Sequence, residues 1–350
     1  MKRVAAIDCG TNSIRLLVAD IDPATGELHE LDRRMTIVRL GQDVDRTGRL
    51  APDALERTFA ACREYAKAIK DLGVPGGDRP ALRFVATSAS RDASNREDFV
   101  RGVREILGVE PEVITGDEEA ALSFAGATRE LTAHEGHGSG VPASAGEQDS
   151  GGPDTGLGAP YLVVDIGGGS TEFVVGDREV HAARSVNIGC VRMTERHFTD
   201  ASGRVPEPGT PTAGQIAAIR ADVESALDEV EQTVPLRPAD GGDYTLVGLA
   251  GSVTTVAAIA LGLSAYDSAA IHHSRVSFDE VREITDRLLH STHAERAAIP
   301  VMHPGRVDVI GAGALVLRTL MERAGAREVV VSEHDILDGI AFAVAERAGA

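Results

Sequence analysis

Tryptophan is absent from the 350 residues, and four tyrosines and eight phenylalanines leave little aromatic surface for stacking a nucleobase. Lysine occurs only at Lys2, Lys67 and Lys70, so the cations are nearly all arginines, the side chain suited to bidentate contact with phosphate. The three cysteines, Cys9, Cys62 and Cys190, show neither CxxC nor metal-ligand spacing, which excludes a disulfide framework or zinc ribbon and predicts reduced thiols. No apolar run reaches 18 residues, so no membrane span is expected, and Met1-Lys2-Arg3 leads straight into a strand pattern without a signal-peptide core, pointing to the cytoplasm. Basic charge is also short: the net charge of -19 argues against a nucleic-acid binder, which needs a basic face. What is present, 43% hydrophobic residues over this length, suffices for two domains with separate cores.

The chain is organised around Asp165-Ile-Gly-Gly-Gly-Ser-Thr-Glu172, between the apolar runs Tyr161-Leu-Val-Val164 and Phe173-Val-Val175. Gly167, Gly168 and Gly169 strip the turn of side chains and permit positive φ, so backbone N–H groups can converge on a phosphate, with Ser170 and Thr171 adding hydroxyls. Asp165 and Glu172 would repel that anion unless a divalent cation or a proton lay between them. An ordinary glycine hairpin is the plain alternative. Against it stands a second copy near the N-terminus, where Arg3-Val-Ala-Ala-Ile7 leads into Asp8-Cys9-Gly10-Thr11-Asn12-Ser13 and then Ile14-Arg-Leu-Leu-Val18. Two copies a domain length apart predict two related domains facing each other across a cleft, each with one phosphate loop.

The paired loops resemble the superfamily of actin, sugar kinases and the seventy-kilodalton heat-shock proteins, and in wording its exopolyphosphatase and guanosine pentaphosphate phosphohydrolase branch. The resemblance implies an α/β fold of two ribonuclease-H-like (actin-like ATPase) domains facing an interdomain cleft. The chain divides accordingly into 1–130, an insertion at 131–158, and 159–350, with the last helix able to pack back on the first domain.

In chain order, strands at 3–7, 13–20 and 28–40 form a meander, and Pro52 opens an amphipathic helix ending near Gly73. A strand at 82–87 delivers Arg91 to its carboxyl end, where α/β sheets bind ligands; it is either a solvated loop arginine or, as the resemblance implies, a contact to substrate phosphate. Ser94-x-x-Glu97 reads as a capping box for a helix through Leu107, a strand follows at 110–115, and Thr115-x-x-Glu118 reads as a second box. Neighbours on a helix point about 100° apart, so if Glu118 caps, Glu119 is free to face the cleft. By themselves the two acids also fit a helix N-terminus; the resemblance makes Glu119 the catalytic base. From Thr132 to Gly158 the composition cannot bury enough to order itself. The opening pattern then repeats from Tyr161, and a long helix spans 215–232. Ala250-Gly251-Ser252 starts a helix and matches a Gly-Gly-Thr motif with conservative changes; it is either an anion site or a tight helix–strand junction. Tyr266 and His272 resemble a family segment in which His273 replaces a glycine, and structural roles are expected there. His334-Asp335 is not a metal-phosphohydrolase signature.

The resemblance therefore implies an exopolyphosphatase that releases terminal orthophosphate from inorganic polyphosphate. Its site residues would be Glu119, Glu172 and Arg91, its metal Mg²⁺ or Mn²⁺ on Asp8, Asp165 and Glu172, and its state a homodimer. Guanosine pentaphosphate hydrolysis is the nearest alternative, with (p)ppGpp as substrate or inhibitor. A kinase of the same superfamily and a nucleotide-binding sensor with little catalysis are the others.

Overall fold

The computed structural model describes residues 1–76, 81–135, 158–200, 205–239 and 241–347. The first half runs β1 (Lys2–Cys9), β2 (Ser13–Ile21), β3 (Leu28–Ile37), α1 (Val44–Thr47), α2 (Pro52–Asp71), β4 (Leu82–Ala86), α3 (Ser88–Asp92), α4 (Arg96–Leu107), β5 (Glu112–Val113) and α5 (Gly116–Glu135). Its sheet is ordered β3-β2-β1-β4-β5, with β2 antiparallel to both neighbours and β4 and β5 parallel to β1 and β4.

The second half runs β6 (Tyr161–Ile166), β7 (Thr171–Gly176), β8 (Val180–Val186), α6 (Cys190–His197), α7 (Ala213–Val230), β9 (Thr245–Leu249), α8 (Ala250–Ala260) and α9 (Ser268–Ile271). It continues as β10 (Arg275–Ser277), α10 (Phe278–His290), α11 (His293–Ala297), α12 (Ile310–Ala324), β11 (Glu328–Val331) and α13 (Ile336–Arg347). Its sheet, β10-β11-β9-β6-β7-β8, repeats the first order with β10 added at one edge. These are two ribonuclease-H-like halves, as expected. β6 is buried along its whole length, the pattern of a central strand covered on both faces.

Each half borrows a helix from the other. Ala120, Phe124 and Ala127 of α5 share a core with Tyr161, Val163 and Val174 of the second sheet, while Ile336, Leu337 and Ile340 of α13 share one with Val4, Ala6 and Leu17 of the first. The two helices cross backbone to backbone. A Cβ at Gly126 would overlap the Asp335 carbonyl, and one at Gly339 would overlap that of Leu122. Position 130 thus divides the chain but not the packing.

Local departures from the sequence reading have identifiable causes. The Ser94–Glu97 box does not form: Asn95 occupies the N-cap of α4, its amide bonded to the Leu50 backbone, and Ser94 Oγ donates to the Gly48 carbonyl. The 110–115 strand shrinks to Glu112 and Val113, which pair with Val85 and Ala86 of β4. α5 continues to Glu135, into the stretch read as disordered, and residues 136–157 of that insertion lie outside the described residues. No described helix is long and apolar enough to cross a membrane.

Candidate active site

Loop 1 joins β1 to β2, loop 2 joins β6 to β7, and each is held from behind. The carbonyls of Thr11 and Asn12 accept from the N–H groups of Gly41, Val38 and Arg39. Those of Gly167, Gly168 and Gly169 accept from Cys190 (2.9 Å), Val191 (2.9 Å) and Gly189 (3.2 Å). In a trans peptide the N–H points opposite to the carbonyl, so this backing turns the N–H groups of Gly168, Gly169 and Ser170 away from α6 and towards the cleft. The glycines are required for a different reason from the one the sequence suggested. None of the three has positive φ; instead a Cβ on Gly168 would press on Thr11, and one on Gly169 would overlap Thr11 Oγ1 and Ser88 Oγ. Loop 2 packs directly on loop 1, whose Thr11 hydroxyl lies 2.9 Å from Ser88 Oγ.

The loops form one end of a cleft of about 780 Å³. Asp8, Gly10, Thr11, Asn12, Ser13, Glu119, Asp165, Gly167, Gly168, Gly169, Ser170, Gly251 and Ser252 all line it. Three expected residues do not. Thr171 is fully buried and donates to the Ile188 carbonyl; Glu172 lies beneath the floor and accepts from Ser185 Oγ (2.7 Å). Arg91 sits on α3 behind the cleft wall, donating to the Ile114 carbonyl (2.9 Å) and Glu119 Oε2 (3.2 Å).

The two glutamates at the start of α5 part as helical geometry requires. Glu118 caps the helix, accepting from the Thr115 N–H (2.9 Å), while Glu119 is buried at 8% exposure and turned into the cleft. Burial, then repulsion from Glu172 and Asp165, pushes the Glu119 carboxyl well above its usual range against the pull of Arg91. Burial is also the main cause at Asp165, pushed up to about 7, and at Glu172, pushed up to about 8.

Asp8 behaves differently. In β-register Asp8 faces Arg15, whereas the equivalent Asp165 faces Glu172. Arg15 donates to Asp8 (2.7 Å) and also to Asp335, just ahead of α13. Burial still raises the Asp8 carboxyl; at Asp335 burial is outweighed by Arg15 and Arg33, which hold it below the usual range. Among the described residues no three His, Cys, Asp or Glu groups are gathered for a metal, and each carboxylate expected to bind one already has a protein partner: Asp8 has Arg15, Asp165 has Ser123 and Glu172 has Ser185. Asp165, which accepts from Ser123 Oγ (2.8 Å), lines the cleft and has no arginine bonded to it among the described contacts. Such a hard oxygen donor fits a cation that takes one or two carboxylates and completes its shell with water and phosphate.

Ser88, Ser123 and Arg15 were not singled out in the sequence, and Asp335 was considered there only to be set aside as part of a metal signature. Aligning the two hairpins would have flagged Arg15, which stands seven residues after Asp8 as Glu172 does after Asp165. At the far end of the cleft, Ala250 at the start of α8 has φ 65°, so its replacement of glycine carries backbone strain and is not conservative; His273 has φ 60° for the same reason. Tyr266 and His272, expected to be structural, line the cleft together with Arg306.

These carboxyls predict how stability follows pH. A carboxyl whose proton affinity rises on folding stabilises the fold fully below its unfolded value, about 4, and loses that contribution as pH climbs through its folded value. For Asp165 and Glu172 the window closes at about 7 and about 8. The melting temperature without divalent cation should fall between about pH 5 and about pH 8, and a divalent cation should raise it more at the upper end. A cation effect equal at both ends would remove Asp165 from its binding.

The chain matches known proteins over most of its length. The model of the Ppx/GppA phosphatase family matches residues 17–141 and 155–348. The Mycobacterium tuberculosis protein named exopolyphosphatase 2 is 47% identical over 356 residues, covering 99% of each chain. A crystal structure of an exopolyphosphatase-like protein is 42% identical with a TM-score of 0.82 over 99% of each chain. A family member from Aquifex aeolicus is 27% identical with a TM-score of 0.73, covering 100% of this chain and 99% of its own. With matches across nearly all its length and both loops in place at the cleft, the chain belongs to the Ppx/GppA phosphatase family.

Proposed function

We propose that the protein is an exopolyphosphatase, removing terminal orthophosphate from inorganic polyphosphate. The observation that carries this is Glu119, a buried carboxylate of raised proton affinity, held by Arg91 and facing two phosphate loops. The name of the M. tuberculosis relative supports the substrate.

Phosphoryl transfer to water asks mainly for positioning and charge neutralisation. N–H groups of loop 2 with the hydroxyls of Thr11, Ser13 and Ser170 would bind the terminal phosphate. Glu119 accepts a proton from the water as its oxygen attacks phosphorus; the bond to the bridging oxygen breaks and the shortened chain departs. Arg91 serves this step by fixing the Glu119 carboxylate rather than by touching phosphate. A raised proton affinity suits a base working near neutral pH. Mg²⁺ or Mn²⁺, held through Asp165 when present, would neutralise charge on the phosphates. A homodimer, the state the resemblance implied, and a cytoplasmic location belong to the same proposal.

A second reading, hydrolysis of guanosine pentaphosphate or binding of (p)ppGpp, is favoured by the length of the cleft. Beyond the loops its lining includes Tyr266, His272 and His334, room and side chains that a nucleoside could use. Orthophosphate release from short polyphosphate, long polyphosphate and guanosine pentaphosphate, with divalent cation and with chelator, separates the readings. Cation-dependent release from polyphosphate is expected. Release from the nucleotide alone would install the second reading, and binding without release would make the protein a sensor.

A further inference from the structure

We propose that Arg192 is a positioning residue that makes cleft closure and alignment of the catalytic groups a single event. α6 is the backing of loop 2, and Arg192 extends that backing across the cleft. Its Nε donates to the Gly169 carbonyl (2.8 Å), Nη1 to Asp45 on α1 (2.5 Å) and Nη2 to Asp92 on α3 (2.6 Å). The side chain is 11% exposed. Asp92 directly follows Arg91, which holds Glu119. One guanidinium therefore links loop 2 of the second half to the helix of the first half that orients the base.

Two neighbours on α6 reach the same half. Arg196 contacts Asp45 (3.3 Å), and Glu195 accepts from the Asp43 N–H (3.1 Å). On the opposite rim the halves meet more loosely, through Gly305 packed on Ile37, Arg306 on the Met35 sulfur (3.7 Å) and an exposed Arg39–Asp308 pair (3.3 Å). A guanidinium donates in one rigid plane, so the Gly169 carbonyl, Asp45 and Asp92 hold a fixed mutual geometry only while all three bonds are made. Opening the halves breaks the bonds to Asp45 and Asp92 together, freeing α3 while loop 2 stays backed by α6. Closure restores them together, setting the loop 2 N–H groups and the Arg91–Glu119 pair in register.

The kinetic test rests on the proposed activity; a second readout does not. A double-mutant cycle in the full chain uses Arg192→Ala, Asp92→Ala and the pair, with polyphosphate and a divalent cation. Arg192→Ala should lower kcat roughly 10- to 100-fold with a much smaller change in KM, and Asp92→Ala should add little on top of it. Arg192→Lys should rescue poorly, because an ammonium cannot span three acceptors in one plane. Asp92→Asn provides a milder break should Arg192→Ala fold poorly. Independently of turnover, hydrogen exchange in Arg192→Ala should accelerate at 43–49 and 88–92 and leave the α5–α13 crossing unchanged. Full kcat in Arg192→Ala, additive effects in the cycle, or unaltered exchange at those segments would each overturn the proposal. An inactive wild type with accelerated exchange in the variant would instead remove the exopolyphosphatase reading and leave the coupling of the halves standing.

Discussion

Glu119→Gln is expected to lower turnover on polyphosphate about 10²- to 10⁴-fold, the usual contribution of a positioned general base. The replacement keeps shape and volume, and its amide oxygen can still accept from Arg91, so the loss isolates proton acceptance. It also removes a buried charge from beside Asp165 and Glu172, the neighbours that raise the proton affinity of Glu119. Melting temperature should therefore hold or rise as activity falls, most clearly at high pH where the carboxyls are ionised. Steady-state phosphate release and a melting curve on the same preparation check both halves. Turnover within a few-fold of wild type would exclude Glu119 as the base, and a parallel fall in stability would mark the lost activity as a folding effect.

Gly126→Ala and Gly339→Ala should be the most damaging small substitutions to stability. In each case the added methyl meets a backbone carbonyl, of Asp335 or of Leu122, rather than a side chain that could swing aside. Overpacking of this kind costs about 1–3 kcal/mol or more, since one helix must shift bodily. The Asp335 carbonyl also accepts from the Asp338 and Gly339 N–H groups at the first turn of α13, so the shift would reach the Arg15–Asp335 pair. Gly76, where an added methyl would meet nothing within 4 Å and φ is not positive, serves as the control, and Gly76→Ala should stay within about 0.5 kcal/mol. Urea midpoints for the three variants measure the difference; equal midpoints would mean that the crossing is not close-packed.

Where sequence reasoning erred, the cause was a partner distant in sequence. Ser94 and Glu97 have the spacing of a capping box, but Asn95 is drawn to Leu50, 45 residues away, and takes the cap instead. The Thr115–Glu118 box, with no competitor, forms as read. Asp8 and Asp165 are equivalent by pattern, yet Arg15 neutralises one while the other lies among carboxylates. Arg91 was placed at the carboxyl end of its strand, but its bonds to the Ile114 carbonyl and Glu119 appear only in the fold.

By itself the sequence determined the α/β class, the duplicated halves, the two glycine-bearing loops that face the cleft and the identity of the glutamate free to leave the helix cap. Each of these depends on spacing within one hairpin or one helical turn, and local backbone geometry enforces it. Only the tertiary structure decided which carboxylates retain their charge, which glycines are needed for close approach, and how the halves are fastened. Those outcomes turn on contacts such as Arg15 with Asp335, 320 residues apart, or Arg192 with Asp92, 100 residues apart. Burial and Coulomb interactions act through space, so their balance at the cleft exists only once both sheets and the crossed α5 and α13 have brought these groups together.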